Sequence, residues 1–448
     1  MSYTDKARWV TDKYILVMLG LFPLFVGFQG YGNITASKFW FFAIATGLWA
    51  GAAVALLILS VLADERCQLP IRPAHLAMGL FLAVGALSLL ASPYGHAGLS
   101  GANRRDGYVT TLLYGLIFFG VSWLGQPRRR YVWALGISSA LCCAIAVLQL
   151  LGLDPFWLYP TGTNYYDKFV AYNSAFLGTI GNTGLLAAYL CVAVPVTGAF
   201  AVLSEHRRDR WLLLPAVLGL GILAACDVDA GVLAMAGCIL VAVPMLIRRD
   251  RTARISACVS GGLVLMGLAV LYFWPGTQGT IYEMSQVLHG HLADEFGSHR
   301  GQIWKQAWQL FKERPLLGGG PGTTSLRFDI QWYSEVRNQN VSVTNPHNVY
   351  LGYLVNTGLL GLLPYLAAIG CSLVTWFWRR KDGGIYPALG AAFVCYLIQD
   401  FFGLGLSLTA PVFWVIWAML ESSPDGVRTR SGSPQRPAPS QSPRRPKR

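Results

Sequence analysis

The sequence predicts an all-α, polytopic membrane protein with about twelve transmembrane helices and one large extracytoplasmic loop that contains short helices. Hydrophobic residues make up 54% of the 448 residues and charged residues only 13%, and the mean hydropathy is +0.45. A soluble globular protein is far less apolar than this. Apolar runs of membrane-spanning length recur along the chain, and basic residues are concentrated in alternate loops.

The apolar runs measure roughly 17 to 22 residues, which is enough for a helix to cross the hydrocarbon core of a bilayer. No small-residue cleavage site follows the first run, so we expect it to be a span rather than a cleaved signal. The predicted spans centre near residues 22, 50, 83, 116, 141, 193, 218, 239, 264, 368, 393 and 412.

The spacing of these runs divides the chain into successive parts. We expect spans one to nine in residues 1–274, the large loop in residues 275–347, and spans ten to twelve, with the helix that leads into them, in residues 348–420. Residues 421–448 are rich in Ser, Pro and Arg, which is typical of a disordered basic tail.

The net charge of +13 is spread over alternate loops instead of one patch, so the sequence does not predict binding to nucleic acid. By the positive-inside rule these loops and both termini are cytoplasmic, and the large loop is outside. We therefore expect a multi-pass protein of the cytoplasmic membrane. The basic loop residues are Arg66, Arg72, Arg128 to Arg130, Arg207, Arg208, Arg210, Arg248, Arg249, Arg251, Arg254 and Arg379 to Lys381.

The large loop is the longest polar stretch between apolar runs, and it is the main candidate for chemistry. Arg300 and Trp304 fall at helical spacing, Pro315 ends that helix, and the run LLGGGPG forces turns. We expect these glycines to bring the backbone close to a substrate or to a helix of the chain itself. His347 then precedes Asn348 and an apolar helix, where it could act as a base or cap that helix.

Three other outer segments carry polar residues at helix ends. Arg104 and Arg105 precede span four, where adjacent guanidiniums could grip phosphate or anchor the helix end among lipid headgroups. Asn182 begins span six and could be a helix cap or a hydrogen-bond donor. Asp227 and Asp229 resemble a metal-binding Asp-x-Asp, but two carboxylates in such a hairpin are more typical of a solvated turn or a helix cap.

The sequence predicts neither a metal nor a cofactor. Most of the cysteines lie inside apolar runs, where they behave as small hydrophobic residues, and the large outer loop contains none. His289, His291 and His299 are spaced closely enough to share a metal, but histidines in a polar loop are usually solvated.

These segments, in this order, resemble the O-antigen ligase and polymerase superfamily. The resemblance rests on RRDG before span four, LGTIGNTGLLAAYL, Arg300 with Trp304, PLLGGGPG, and HNVYLGYLVNTGLLG. It is strongest from His299 to Gly361, and its most specific part is the HN-x-YL element that starts at His347. One departure stands out: many members carry Ser-Arg-Gly between spans seven and eight, where this chain has Asp227 to Gly231.

The resemblance implies an inverting, metal-independent membrane glycosyltransferase that needs no cofactor. Its donor would be a glycan on an undecaprenyl-pyrophosphate carrier, and its acceptor a hydroxyl of a glycan, lipid or protein on the outer face of the membrane. By this resemblance His347 would be the base and Arg300 would bind pyrophosphate. We expect further substrate contacts from Arg104, Arg105, Asn182, Asn348, Trp304 and Tyr350.

Two alternatives remain open on the sequence. A transporter or flippase of lipid-linked glycans would also have many spans, but transporters usually carry ionisable residues at mid-membrane, and these spans are nearly free of charge. A degenerate family member is the other alternative, because the usual Ser-Arg-Gly is absent. Either Arg104 or Arg105 replaces the missing charge, or the chain handles a different carrier headgroup.

Overall fold

The computed structural model describes residues 1–65, 69–102, 104–159, 165–166, 170–171, 176–329 and 343–423. Arg66, the middle of the large loop and most of the predicted tail lie outside the described residues. The α-helices are α1 (Tyr3–Leu16), α2 (Ile34–Leu62), α3 (Pro73–Ala91), α4 (His96–Ser100), α5 (Tyr108–Leu124), α6 (Arg129–Leu150), α7 (Thr183–Leu203), α8 (Leu213–Ala225), α9 (Asp229–Leu246), α10 (Asp250–Tyr272), α11 (Thr280–Leu288), α12 (Phe296–Glu313), α13 (Thr324–Arg327), α14 (Val349–Arg379), α15 (Ile385–Asp400) and α16 (Ala410–Glu421).

Other regular structure is short, and the predicted all-α class is confirmed. A π-helical turn spans Val17–Leu21, and 3-10 turns span Phe22–Leu24, Gly30–Asn33 and Arg207–Leu212. Two short strands, β1 (Tyr165–Tyr166) and β2 (Val170–Ala171), pair antiparallel.

Among the described residues, seven helical segments are long and apolar enough to cross a membrane, and three shorter apolar helices accompany them. The multi-pass membrane architecture is therefore confirmed, while the count of about twelve spans stays a prediction. The long segments are Gly30–Leu62, Pro73–Ala91, Arg129–Leu150, Thr183–Leu203, Asp229–Leu246, Asp250–Tyr272 and Val349–Arg379, and the shorter ones are Tyr108–Leu124, Ile385–Asp400 and Ala410–Glu421.

The first predicted span is interrupted. Helix α1 ends at Leu16, and the chain continues through a π turn and a 3-10 turn that contains Pro23. The chain leaves the helical conformation at Phe25, so the carbonyl groups at the end of this turn are not followed by the amides of a further helical turn. The buried Lys38 of α2 donates from Nζ to the carbonyls of Phe22 at 3.1 Å and Pro23 at 3.0 Å. The break is thus stabilised by a side chain from the next helix.

The centre of the bundle is formed by α7, α15 and α16. Every residue of α16 is buried, and α15 packs against both α7 and α9. Rings from neighbouring helices stack there, as Phe393 of α15 does on Phe413 of α16 with centroids 5.8 Å apart. By contrast, α10 has no buried residue and lies at the periphery. An apolar helix with no buried face is suited to contact lipid.

One end of the bundle gathers the arginine-rich loops. Ion pairs there join segments that are distant in sequence, which places those segments at the same level. The pairs are Arg72 with Glu421 at 3.6 Å, Arg129 with Asp209 at 2.6 Å, and Arg380 with Asp250 at 3.5 Å. The starts of α2, α7 and α9 and the residues just before α14 lie together at the other end. The alternation of basic loops in the sequence therefore corresponds to two chemically different ends of the bundle.

The large loop contains the predicted short helices, and its glycine run is bonded to the bundle. Helix α14 is broken at Gly358, whose φ is 66°. The freed amides of the next two residues donate to the carbonyls of Pro315 at 2.9 Å and Leu316 at 3.1 Å. Gly318, with φ 66°, lies so close to α14 that a Cβ atom there would be 2.4 Å from the carbonyl carbon of Asn356. Gly318 and Gly358 therefore allow the backbone of the large loop to pack directly against helix α14.

Candidate active site

A cavity of about 910 Å³ opens at the end of the bundle opposite the arginine-rich loops. Its walls come from the starts of α2, α7 and α9, the loop before α5, the start of α12, the residues before α14, and the segment that follows α15. Helix starts and loops meet there, so backbone donors and polar side chains converge on one space. The charged and amide side chains of the lining are Asn33, Arg104, Arg105, Asn182, Asp227, Asp229, Arg300, His347 and Gln399.

His347 lines this cavity just before α14. Its backbone is in the left-handed region, with φ 53°, and its N–H donates to Oδ1 of Asn345 at 3.0 Å. The cap of α14 is the next residue, Asn348, whose Oδ1 accepts the N–H of Leu351 at 2.9 Å. The helix thus does not use the imidazole of His347 as its N-terminal cap.

The imidazole of His347 is neutral at physiological pH. Burial lowers its pKa to about 4, and the positive charges of Arg300 and Arg104 act in the same direction. A neutral imidazole has one nitrogen free to accept a proton. The side chain predicted to act as a base is therefore in the protonation state that a base requires.

Arg300 reaches the same cavity from the start of α12. The residues before it, Gly297, Ser298 and His299, have φ of 56°, 62° and 70°, so the chain turns sharply before the regular part of the helix. Ser298 and His299 are not glycines, and such conformations are strained. Burial lowers the pKa of Arg300, while the nearby Asp229 raises it. An arginine remains charged after such a shift, so it supplies a fixed cation to the cavity.

Arg104 and Arg105 also line the cavity, and the structure gives them different surroundings. The Arg105 guanidinium lies 5.3 Å from the ring centre of Phe39 and 5.1 Å from that of Trp40, at the start of α2. Stacking on aromatic rings fixes that guanidinium. Arg104 is close enough to His347 to lower its pKa. Arg105 therefore has the contacts expected of a residue that anchors a helix end, while the charge of Arg104 acts on His347.

Asn182 combines the two roles considered for it. Its Oδ1 accepts the N–H of Leu185 at 2.9 Å and caps α7, and the same residue lines the cavity. Because the cap uses only the amide oxygen, the amide NH₂ retains its two donors. The residue can therefore hold the helix end and also offer a hydrogen bond to a ligand.

Trp304, Asn348 and Tyr350 do not lie on the cavity wall. The indole N–H of Trp304 donates to the carbonyl of Pro346 at 2.9 Å, and the Tyr350 hydroxyl donates to the carbonyl of Leu397 at 2.8 Å. With the cap at Asn348, these bonds fix the backbone on both sides of His347. Their contact with substrate stays a prediction, and the bonds indicate a positioning role.

Sequence reasoning gave too little weight to two parts of the wall. Asp227 and Asp229 face the same cavity as Arg300, in the hairpin between α8 and α9. Their position in an outer hairpin could have indicated from the sequence that they belong to the site. Gln399 is buried, and no described atom forms a hydrogen bond with its Oε1. It lies inside an apolar run with no local pattern that could indicate a site.

Among the described residues, no three His, Cys, Asp or Glu side chains are placed to hold a metal ion together. His289, considered above as a ligand, instead has its ring stacked on Tyr272, with centroids 4.4 Å apart. Metal independence stays a prediction.

The candidate site is thus a cationic cavity that contains a buried histidine, at one end of a helical membrane bundle. The family described as O-antigen ligase matches residues 214–366. The matched segment includes Asp227, Asp229, Arg300 and His347. Over this segment the match confirms the resemblance to the O-antigen ligase family seen in the sequence. Comparison with curated proteins finds no match.

Proposed function

We propose that this protein is an inverting, metal-independent glycosyltransferase of the O-antigen ligase or polymerase type. It moves a glycan from an undecaprenyl-pyrophosphate carrier to an acceptor hydroxyl on the outer face of the cytoplasmic membrane, during synthesis of cell-surface polysaccharide. The observation that carries the proposal is the shared cavity of neutral His347 and the cations Arg104 and Arg300, at the end of the bundle opposite the arginine-rich loops.

The donor pyrophosphate binds on the arginine side of the cavity. Arg300 and Arg104 offer planar, two-pronged donors to phosphate oxygens, and Arg105 adds positive charge. The charge that develops on the leaving pyrophosphate is stabilised by these cations, and each contact is stronger near the bilayer than in bulk water.

The carboxylates on the wall orient the donor further. Asp227 and Asp229 repel pyrophosphate, so they favour a pose in which the phosphates lie away from the hairpin and the sugar hydroxyls lie near it. Carboxylates accept hydrogen bonds from hydroxyl groups. The Asp-x-Asp hairpin is therefore a sugar contact in this proposal, and it is not a metal site.

His347 acts on the acceptor. The acceptor oxygen forms a bond to the anomeric carbon as the bond from that carbon to the pyrophosphate oxygen breaks, and the hydroxyl proton passes to the imidazole. Attack opposite the leaving group inverts the anomeric centre. The proton then leaves the imidazolium, which lies close to Arg300 and Arg104 and is destabilised by their charges.

Reconstitution tests this proposal directly. The purified protein in vesicles is supplied with a polyprenyl-pyrophosphate glycan and an acceptor, and both the glycosylated product and the released carrier are measured. The matched control is His291→Ala, since His291 is an exposed histidine of the same loop that does not line the cavity. Movement of the glycolipid across the vesicle membrane without transfer would support the transporter alternative. Binding without transfer or movement would indicate a degenerate family member.

A further inference from the structure

A second cavity, of about 800 Å³, lies at the arginine-rich end of the bundle and takes no part in the proposed glycan transfer. It is bounded by the start of α6 and the turn that leads into α8. We call it the basic pocket, and its lining residues are Arg128, Arg129, Arg130, Trp133, Arg208 and Trp211.

A buried carboxylate fixes one wall of the basic pocket. Asp209 has no solvent exposure, and it accepts hydrogen bonds from Nε of Arg129 at 2.6 Å and from Nε1 of Trp133 at 2.7 Å. These bonds hold a guanidinium and an indole in one arrangement before any ligand arrives. A ligand that uses them therefore loses less side-chain entropy on binding.

The basic pocket also carries excess positive charge. Asp12 pairs with Arg128 at 3.4 Å and with Arg130, and Asp209 pairs with Arg129. Within the described part of the chain, no carboxylate forms an ion pair with Arg208. Four guanidiniums against two carboxylates leave two positive charges. The three paired arginines keep 42–47% of their side-chain surface exposed, so their groups remain accessible to an anion.

Apolar surface continues directly from this charge. Trp211 is 72% exposed, and beyond it on α8 Leu214 and Val217 are exposed by 66% and 68%. Tryptophan beside arginine at the end of an apolar helix is typical of the headgroup level of a bilayer. We propose that the basic pocket binds the headgroup of an anionic phospholipid, with the phosphate on the guanidiniums and the acyl chains along the exposed face of α8.

Lipid titration of the full-length protein tests this site. Delipidated protein in detergent is titrated with dioleoylphosphatidylglycerol or dioleoylphosphatidylcholine, and bound lipid is counted by native mass spectrometry. We expect a preference for phosphatidylglycerol that weakens about thirtyfold in the double variant Arg128→Gln and Arg208→Gln. The double variant Arg249→Gln and Arg251→Gln is the matched control, because it removes two exposed arginines from another basic loop. The control should bind phosphatidylglycerol like the unmodified protein.

Three outcomes would each overturn the proposal. Equal weakening in both double variants would show general attraction of the lipid to basic loops. Full displacement of the lipid by millimolar inorganic phosphate would show a site for free phosphate. If the double variant unfolds, Arg208→Gln alone serves as the test, because Arg208 leaves no buried carboxylate unpaired. That single change should still weaken phosphatidylglycerol binding severalfold, and unchanged binding would overturn the site.

Discussion

At the scale of single residues, His347 shows how one environment can set both the state and the strength of a base. Burial and two neighbouring guanidiniums lower its pKa to about 4, which keeps the imidazole neutral but makes it a poor proton acceptor. A pyrophosphate bound to Arg300 and Arg104 would offset their charge. The donor would therefore strengthen the base that attacks it.

The pH dependence of activity separates these two states of His347. A base must be neutral, so activity falls as the pH drops below its pKa. In the free protein that pKa is about 4, and kcat/KM should show no acid limb from His347 between pH 5 and 8. In the donor complex we expect a higher pKa, so kcat should decline at a higher pH than kcat/KM does. Identical acid limbs in both profiles would contradict charge compensation by the donor.

Substitutions at His347 and Arg300 should differ in kind. His347→Ala removes the proton acceptor, so turnover should fall by a factor of about 100 to 10,000 with donor binding near normal. Arg300→Lys keeps the charge but loses the planar contact, so it should weaken donor binding and turnover together. The measurements are donor affinity and single-turnover rate, with His291→Ala as the control. Equal loss of donor binding in both variants would show that His347 holds the carrier.

The site could be predicted from the sequence only where a local pattern marked it. His347 belongs to a short specific element, and Arg300 begins an amphipathic helix in a polar loop. Gln399 has no such marker, because it reaches the cavity only through the packing of α15. For Tyr350, contact with substrate stays a prediction, and nothing in the sequence indicates that its hydroxyl donates to the carbonyl of Leu397 across the bundle. Periodicity shows which residues share a helix face, but it does not show which neighbour that face meets.

At the scale of elements, the break in α14 connects the glycine run to the catalytic cavity. The helix starts beside His347 and is interrupted at Gly358, where carbonyls of the loop bond to its free amides. These bonds between the loop and the helix thereby fix the position and direction of the first turns of α14. The glycines are therefore expected to affect activity although none of the run lines the cavity.

Gly318→Ala tests this connection. Its φ of 66° is strained for alanine, and the new Cβ would lie 2.4 Å from the backbone of α14, so we expect a loss of at least about 2 kcal/mol of stability, with reduced turnover. Gly352→Ala is the control in the same helix, because a Cβ there meets no atom within 4 Å. Alanine is a better helix former than glycine, so the control should be neutral or slightly stabilising. Thermal unfolding in detergent gives the comparison, and equal stability of the two variants would contradict the role of the glycine.

The hairpin between α8 and α9 yields a prediction about metals. Asp227 and Asp229 contact the cavity without a third ligand among the described His, Cys, Asp and Glu side chains. Activity should therefore survive EDTA unchanged, and Asp229→Asn should alter glycan preference more than overall rate. Strict dependence on added Mg²⁺ or Mn²⁺ would instead identify the two carboxylates as metal ligands.

At the scale of the whole molecule, composition and length predicted the membrane class and the helical fold because both depend on properties summed over many residues. The interruption near Pro23 is stabilised by one side chain, Lys38, which donates to the carbonyls of Phe22 and Pro23. A hydropathy average cannot represent such a contact, so the sequence predicts a span here without its interruption.

The orientation of the bundle in the membrane is the last prediction. The arginine-rich loops, whose arginines form ion pairs with aspartates, lie at one end of the bundle, and the cavity opens at the other. The positive-inside rule therefore places the cavity on the outer side of the membrane. The nine native cysteines are first replaced by alanine. Single cysteines are then introduced as Ser298→Cys or Arg249→Cys, at two exposed positions. A membrane-impermeant thiol reagent should label intact cells at residue 298 and reach residue 249 only after permeabilisation. Labelling in the opposite order would place the cavity in the cytoplasm, away from the outer-leaflet donor, and the proposed transfer could not occur there.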